Sequence, residues 1–230
     1  IPESVTYIGN FAFQNCSSLT SVTISGSVTS IGYSAFQNCS SLTSVTIPDS
    51  VKSIGNYSFE GCSSLETVYL SENSKLQSLE TRIFAKCTSL KSIIIPDSVI
   101  SIGNAAFYDC SSLESVTIPD SVTSIELSAF EDCSSLGSIK LGGDSHLNKI
   151  ASCAFLNCIS LTKINIPETV NTIEEKAFYG CSTLTSAVFE ITNGWVAING
   201  NNSESLYLPN SLVAANRLTS TFVNSEWRRE

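Results

Sequence analysis

The 230-residue chain has no methionine, a single histidine, and charge on only 14% of its residues. One histidine (His146) removes most imidazole-based catalysis and every multi-histidine metal site. Basic residues are also scarce: 12 Lys and Arg stand against 21 Asp and Glu, for a net charge of −9. A nucleic-acid binder carries a basic face, so this balance argues against one. No apolar run approaches the roughly 18 residues that a membrane-spanning helix needs. The sequence also lacks a glycine-rich phosphate loop and the H-E-x-x-H and G-x-S-x-G signatures. The missing methionine leads us to expect a piece of a longer precursor, with any signal peptide or anchor outside it. Serine, by contrast, is abundant at 42 residues, and the 42% apolar share is enough for a core.

Order enters through cysteine. Eight of the nine cysteines, from Cys16 to Cys181, recur at intervals of 23 or 25 residues. Each has a phenylalanine three residues before it and a leucine three residues after, as Phe36 and Leu42 flank Cys39. The unit reads I-P-D-S-V-x-S-I-G-x-x-A-F-x-x-C-S-S-L-x-S-V-x. Both longer intervals hold two extra residues in one turn, around Glu72 to Lys75 and Gly143 to His146. A unit this short cannot bury its own apolar residues, so neighbours must stack and share one core. The segment L-x-S-V-x-I alternates apolar and polar residues, which is the period of a half-buried strand. Proline ends it at Pro48, Pro96, Pro119 and Pro167. The return arm turns Val51, Ile54 and Phe59 inward without strict alternation, either as a second short extended arm or as a helical turn near A-F-x-x-C. From Ile191 to Glu230 the pattern fails, and this segment is expected to cap the last rung, burying Leu206, Leu208 and Leu212. Ile1-Pro2 begins in mid-unit, so an uncovered first rung is expected.

The stretch L-x-x-V-x-I-x-x-S, from Leu42 to Ser50, resembles the strand of leucine-rich repeats, with serine where asparagine is usual. The extension I-G-x-x-A-F-x-x-C resembles the BspA-like branch, found on surface proteins of bacteria and some protozoa. The resemblance covers about residues 1–189. It implies an α/β-type leucine-rich-repeat solenoid, mostly β and irregular, wound as a right-handed superhelix with a parallel β-sheet on its concave face. Residues 190–230 would be the C-terminal capping segment of the same domain. The serine ladder would comprise Ser4, Ser27, Ser50, Ser98, Ser121 and Thr169, with Asn73 and Asp144 in the two longer turns, each accepting from a turn amide.

Nine cysteines invite a disulfide reading, but stacking argues against it. Equivalent side chains on successive rungs lie about 4.8 Å apart and point the same way, whereas a disulfide needs convergent Cβ atoms about 3.8 Å apart. A buried ladder of free thiols is expected, with Cys153 a lone thiol outside the register. Without a C-x-x-C pair, zinc is not expected. His146, beside Asp144 and Ser145, sits in an inserted turn that provides no oxyanion site and reads as an exposed loop residue. The turn carboxylates Glu3, Asp49, Asp97, Asp120 and Glu168 repeat in register, but Ca²⁺ wants six to eight oxygens, so they read as solubilising charges. Asn15, Asn38, Asn56 and Asn201 match the glycosylation pattern, two of them merely because the repeat spells it.

That leaves the outward strand positions. Ser and Thr dominate them, joined by Tyr69 and Ile94 on adjacent rungs and by Lys140, Lys163 and Asn165 further along. Thr46, Tyr69, Ile94, Thr117, Lys140, Lys163 and Asn165 form the candidate binding face, with Tyr69 and Ile94 as its apolar anchor. The resemblance implies an extracellular or cell-surface module, and the missing catalytic constellation reads as non-enzymatic; a monomer without a cofactor is expected. It would bind a host or microbial surface or matrix protein, or a glycan, and not nucleic acid. The alternative is a structural spacer that holds other domains away from the cell.

Overall fold

The computed structural model describes residues 1–190, 195–199, 202–206, 218–219 and 226–229. The chain winds as a parallel β-solenoid of about eight turns with almost no helix among the described residues. Seven strands stack in chain order as one parallel sheet: Ser44–Ile47, Thr67–Leu70, Ser92–Ile94, Ser115–Ile118, Ser138–Leu141, Lys163–Ile166 and Ser186–Phe189. Their registers step one repeat at a time, as Ser115 to Ile118 opposite Ser138 to Leu141. Alternation decides the faces: Val45 and Ile47 are buried while Ser44 and Thr46 are exposed.

The return arm is neither a helical turn nor a plain strand. It begins with a two-residue strand on the S-I pair, such as Ser30–Ile31 beside Ser53–Ile54. Backbone amides then alternate between two duties. Ser34, Phe36 and Asn38 donate forward to the next rung, to Asn56 O, Ser58 O and Glu60 O at 2.7–2.9 Å. The intervening Ala35, Gln37 and Cys39 each close a turn onto the carbonyl three residues back. Such alternation needs left-handed backbone on both sides of each phenylalanine, and φ is 50° at Ser34 and 60° at Asn38. Seven of the eight residues just before the repeat cysteines are Asn, Asp or Gly (Asn15, Asn38, Gly61, Asp109, Asp132, Asn157 and Gly180), the types that visit this region at least cost. Lys86, with φ at 59°, is the exception.

Inside, matching side chains run as columns. Phe13, Phe36, Phe59, Phe84, Phe107, Phe130, Phe155 and Phe178 stack ring on ring, with centroids 5.1–5.7 Å apart and planes within 23°. That is the offset-stacked geometry that aromatic quadrupoles favour. Beside them every cysteine is a free thiol. From Cys39 to Cys181, each ladder thiol donates to the carbonyl of the phenylalanine one rung earlier, at 3.1–3.3 Å. The column is therefore tied to backbone at every rung from Cys39 to Cys181. Burial pushes the Cys39 thiol up to about 11 and the Cys62 thiol up to about 12. Cys16, on the first rung, is exposed, and Cys153 is half-buried. An alkylating reagent should accordingly modify Cys16 and Cys153 in the native protein and the remaining thiols only after unfolding, as read by mass spectrometry of each cysteine peptide.

The serine ladder works differently from the expectation. Ser27 and Ser121 donate to the carbonyls of Val5 (2.8 Å) and Val99 (2.6 Å) one rung back, and Thr169 to Ser145 O (3.0 Å). These three hydroxyls donate because the group facing them from the rung below is a carbonyl, whereas the buried hydroxyls of Ser50 and Ser98 have no hydrogen-bond partner among the described residues. In the longer turns Asn73 and Asp144 are exposed. Ser74 and Ser145 lie inside instead, accepting from the amides of Leu76 and Leu147 two residues on. The two extra residues push the expected position outward.

The two ends differ. At the first rung a hollow of about 600 Å³ is lined by Ile1, Val5, Ile8, Phe13 and Val22. At the other end Glu226–Arg229 pairs antiparallel with Thr172–Ile173, and Trp195–Asn199 and Asn202–Leu206 continue that sheet. Trp227 is buried, its ring 6.1 Å from that of Phe189. We propose that this antiparallel segment is the terminal cap: it covers a rung with strands running against the solenoid direction. Of the leucines expected inside it, Leu208 and Leu212 lie outside the described residues, and Leu206 is described only through its backbone.

Candidate binding face

The outward side of the seven-stranded sheet is a grid with two columns. Thr46 pairs with Tyr69, and Thr117 pairs with Ile94 on one side and Lys140 on the other. Asn165 pairs with Val188 at the far end. The second column, two residues earlier on each strand, runs through Ser44, Thr67, Ser92, Ser115, Ser138, Lys163 and Ser186. All the residues expected on the binding face thus share one surface, and each is exposed, Tyr69 at 58% and Ile94 at 78%.

At two steps the ladder opens. Thr67–Leu70 pairs with Ser92–Ile94 only at Thr67 and Ser92, and Ser138–Leu141 pairs with Lys163–Ile166 only at Ser138 and Lys163. Both openings follow a 25-residue interval, whose extra residues begin just past the strand end and carry the chain away from its neighbour. The Tyr69–Ile94 pair and the Lys140–Asn165 pair sit at these openings, so an apolar step and a cationic step share the same local geometry.

Charge is distributed unevenly. None of the 21 carboxylates falls in either outward column, whereas Lys140 and Lys163 do. Neither lysine has an ion-pair partner among the described residues. Lys149, on the return arm, behaves oppositely: its ammonium lies 3.1 Å from Glu174 and 3.7 Å from Glu126. The hydrogen bond to Glu174 raises the pKa of Lys149. Burial alone would raise the Glu174 carboxyl, but hydrogen bonds from Ser152 and Lys149 hold it below its usual range.

The other candidates take up structural positions. His146 is exposed, its Nδ1 lying 2.9 Å from the carbonyl of Asp120. Glu3, Asp49, Asp97 and Glu168 are exposed and Asp120 half-buried, and no group of three or more potential ligands converges on a point among the described residues. Asn38 donates its side-chain amide to Asn15 Oδ1 at 3.0 Å, so two glycosylation-pattern asparagines are bonded to each other.

The repeat pattern passed over one surface feature, an aromatic run on the return arm. Phe11, Tyr33 and Tyr57 contact in sequence at 5.3 Å, tilted by 53–67°. The signal was an aromatic two or three residues before the core phenylalanine in three successive units.

Comparison with known proteins agrees with this architecture. The family described as BspA type leucine rich repeat region matches residues 1–114 and 73–185, in 6 copies. The leucine rich repeat protein TpLRR of T. pallidum is 32% identical over 68% of this chain and 72% of its own, with a TM-score of 0.62. A leucine rich cell surface protein of Faecalibacterium prausnitzii A2-165 is 31% identical over 83% of this chain, with a TM-score of 0.55. A leucine-rich repeat protein of Eubacterium ventriosum, 23% identical with a TM-score of 0.60, shares the fold. This chain spans 59% of the F. prausnitzii protein and 46% of the E. ventriosum protein. No curated protein sequence matches.

Proposed function

The chain belongs to the BspA-type leucine-rich repeat family, and from that premise we propose that it is a non-enzymatic binding module of a surface or secreted adhesin-like protein. Repeats of this family are typical of protein-interaction modules on bacterial surfaces, and the solenoid fold is generally non-enzymatic. The observation that carries the proposal is the strand face: a rigid grid of small exposed side chains, free of carboxylates, with Tyr69 and Ile94 standing out of it. Large exposed apolar side chains in an otherwise polar patch are the usual anchors of an interface. Thr46, Tyr69, Ile94, Thr117, Lys140, Lys163 and Asn165 would contact a surface or matrix protein. An open sheet face suits an extended partner better than a small substrate. Among the described residues no helix is long and apolar enough to cross a membrane.

The test is capture of surface proteins by the intact chain, with the Tyr69→Ser/Lys163→Ser double variant as control. Binding to the captured partner should weaken at least about tenfold, since anchors of this kind each carry about 1 kcal/mol or more. The melting temperature should barely move, because both side chains point to solvent. Recovery of nothing above the control would favour the spacer.

A further inference from the structure

We propose that this face takes an acidic peptide segment in the polyproline II conformation, lying across the strands along the solenoid axis. An apolar side chain would seat on Ile94 and Tyr69, and a carboxylate three residues later would sit at Lys140 and Lys163. The inference rests on the strand-face reading above and names the partner chemistry for it.

Charge complementarity comes first. The protein carries a net charge of −9, yet the strand columns hold two unpaired lysines and no carboxylate. Lys163 lies beside Ser138, two residues before Lys140 on the neighbouring strand, so the two lysines are diagonal neighbours on the face. Lys149 is the one lysine with an ion pair among the described residues, held by glutamates on the rungs above and below. At Lys140 and Lys163 the adjacent column positions are Ser, Thr and Asn instead.

Backbone chemistry selects the conformation. A peptide crossing the strands along the solenoid axis runs perpendicular to them, so it cannot add as a strand and keeps its own backbone solvated. Polyproline II does so, with three residues per turn and a rise of about 3.1 Å per residue, which repeats a side-chain direction about every 9.3 Å. From Ile94 through Thr117 to Lys140 is two rungs, about 9.6 Å at the usual strand spacing. A β-strand repeats its direction every two residues, about 6.7 Å, and misses this interval. An apolar residue at i over Ile94 with Asp or Glu at i+3 over Lys140 therefore matches the interval from one side of the peptide, Tyr69 and Lys163 lying one rung further out at either end.

Two probe peptides of equal composition test the spacing: acetyl-Pro-Pro-Leu-Pro-Pro-Glu-Pro-Pro-amide and acetyl-Pro-Pro-Leu-Glu-Pro-Pro-Pro-Pro-amide. Each is titrated into the whole chain, and binding is read from backbone amide chemical shifts. The first should bind at least about fivefold more tightly, a difference of about 1 kcal/mol. Its shifts should centre on Ile94, Thr117 and Lys140, weaken with salt as exposed ion pairs do, and be lost in Lys140→Glu/Lys163→Glu. Equal affinities, no shifts with either peptide, or indifference to the charge reversal overturns the inference. If the captured partner still needs Tyr69 and Lys163 in any of those cases, the face reading survives and only the peptide chemistry falls. A partner indifferent to both residues ends the two together.

Discussion

Replacing Phe107 with alanine should lower the unfolding free energy by about 3–5 kcal/mol, the range for a fully buried aromatic that leaves a cavity. The ring is 0% exposed and stacked on both faces, 5.7 Å from Phe84 and 5.1 Å from Phe130. Its neighbours are held at rung spacing by backbone bonds on each side, such as Phe84 N to Ala106 O and Phe107 N to Ala129 O. The stack therefore cannot close up over the gap. Phe13 is the matched control. It occupies the same position on the first rung but is only half-buried and stacks on Phe36 alone. Phe13→Ala should cost less than half as much. Urea unfolding of the two variants checks this, and equal losses would mean that the column does not act as a column.

The second expected result is a steep loss of stability above pH 9. Burial raises the thiols of Cys39, Cys62, Cys87, Cys110 and Cys133 above their ordinary value of 9.0. Cys158 is raised first by its contact with Cys181 and then by burial. The fold thus holds these thiols protonated at a pH where the unfolded chain releases the protons. A raised value in the folded state means that the stabilisation is complete below 9.0 and is lost as pH climbs towards the folded values. Each such thiol removes about 1.4 kcal/mol per pH unit once its unfolded counterpart is ionised. Melting temperatures followed from neutral pH into the alkaline range under reducing conditions should therefore collapse. Replacing Cys87, Cys110 and Cys133 together with alanine should shallow that decline while lowering stability at neutral pH. A decline of unchanged slope in the triple variant would assign it to other groups.

The same columns explain why so much was legible in advance. A spacing of 23 residues with Phe, Cys and Leu at constant offsets can be satisfied only if each unit lies on the last, so the sheet, the phenylalanine stack and the free thiols followed from it. The outward positions also followed, because alternation on a strand leaves no choice of face. The serine ladder was misread in its bonding, since Ser27, Ser121 and Thr169 donate to carbonyls rather than accept from amides and Ser50 and Ser98 find no partner among the described residues, and in its position at Asn73 and Asp144. Alignment counts residues, whereas two extra ones bulge outward at the point of least resistance and shift which residue stays inside.

By itself, the sequence determined the winding, the core and the identity of the exposed strand residues, all of them consequences of period. Only the tertiary structure decided how the return arm is bonded, with left-handed residues sending alternate amides forward to the next rung. It alone opened the sheet at Tyr69–Ile94 and Lys140–Asn165, and gave Lys149, alone of the lysines among the described residues, glutamate partners. The physical reason is that hydrogen-bond direction and charge pairing depend on which groups meet across rungs, some 23 residues apart along the chain. A repeat announces that such neighbours exist, but the partner each group finds is set only when the rungs are in place.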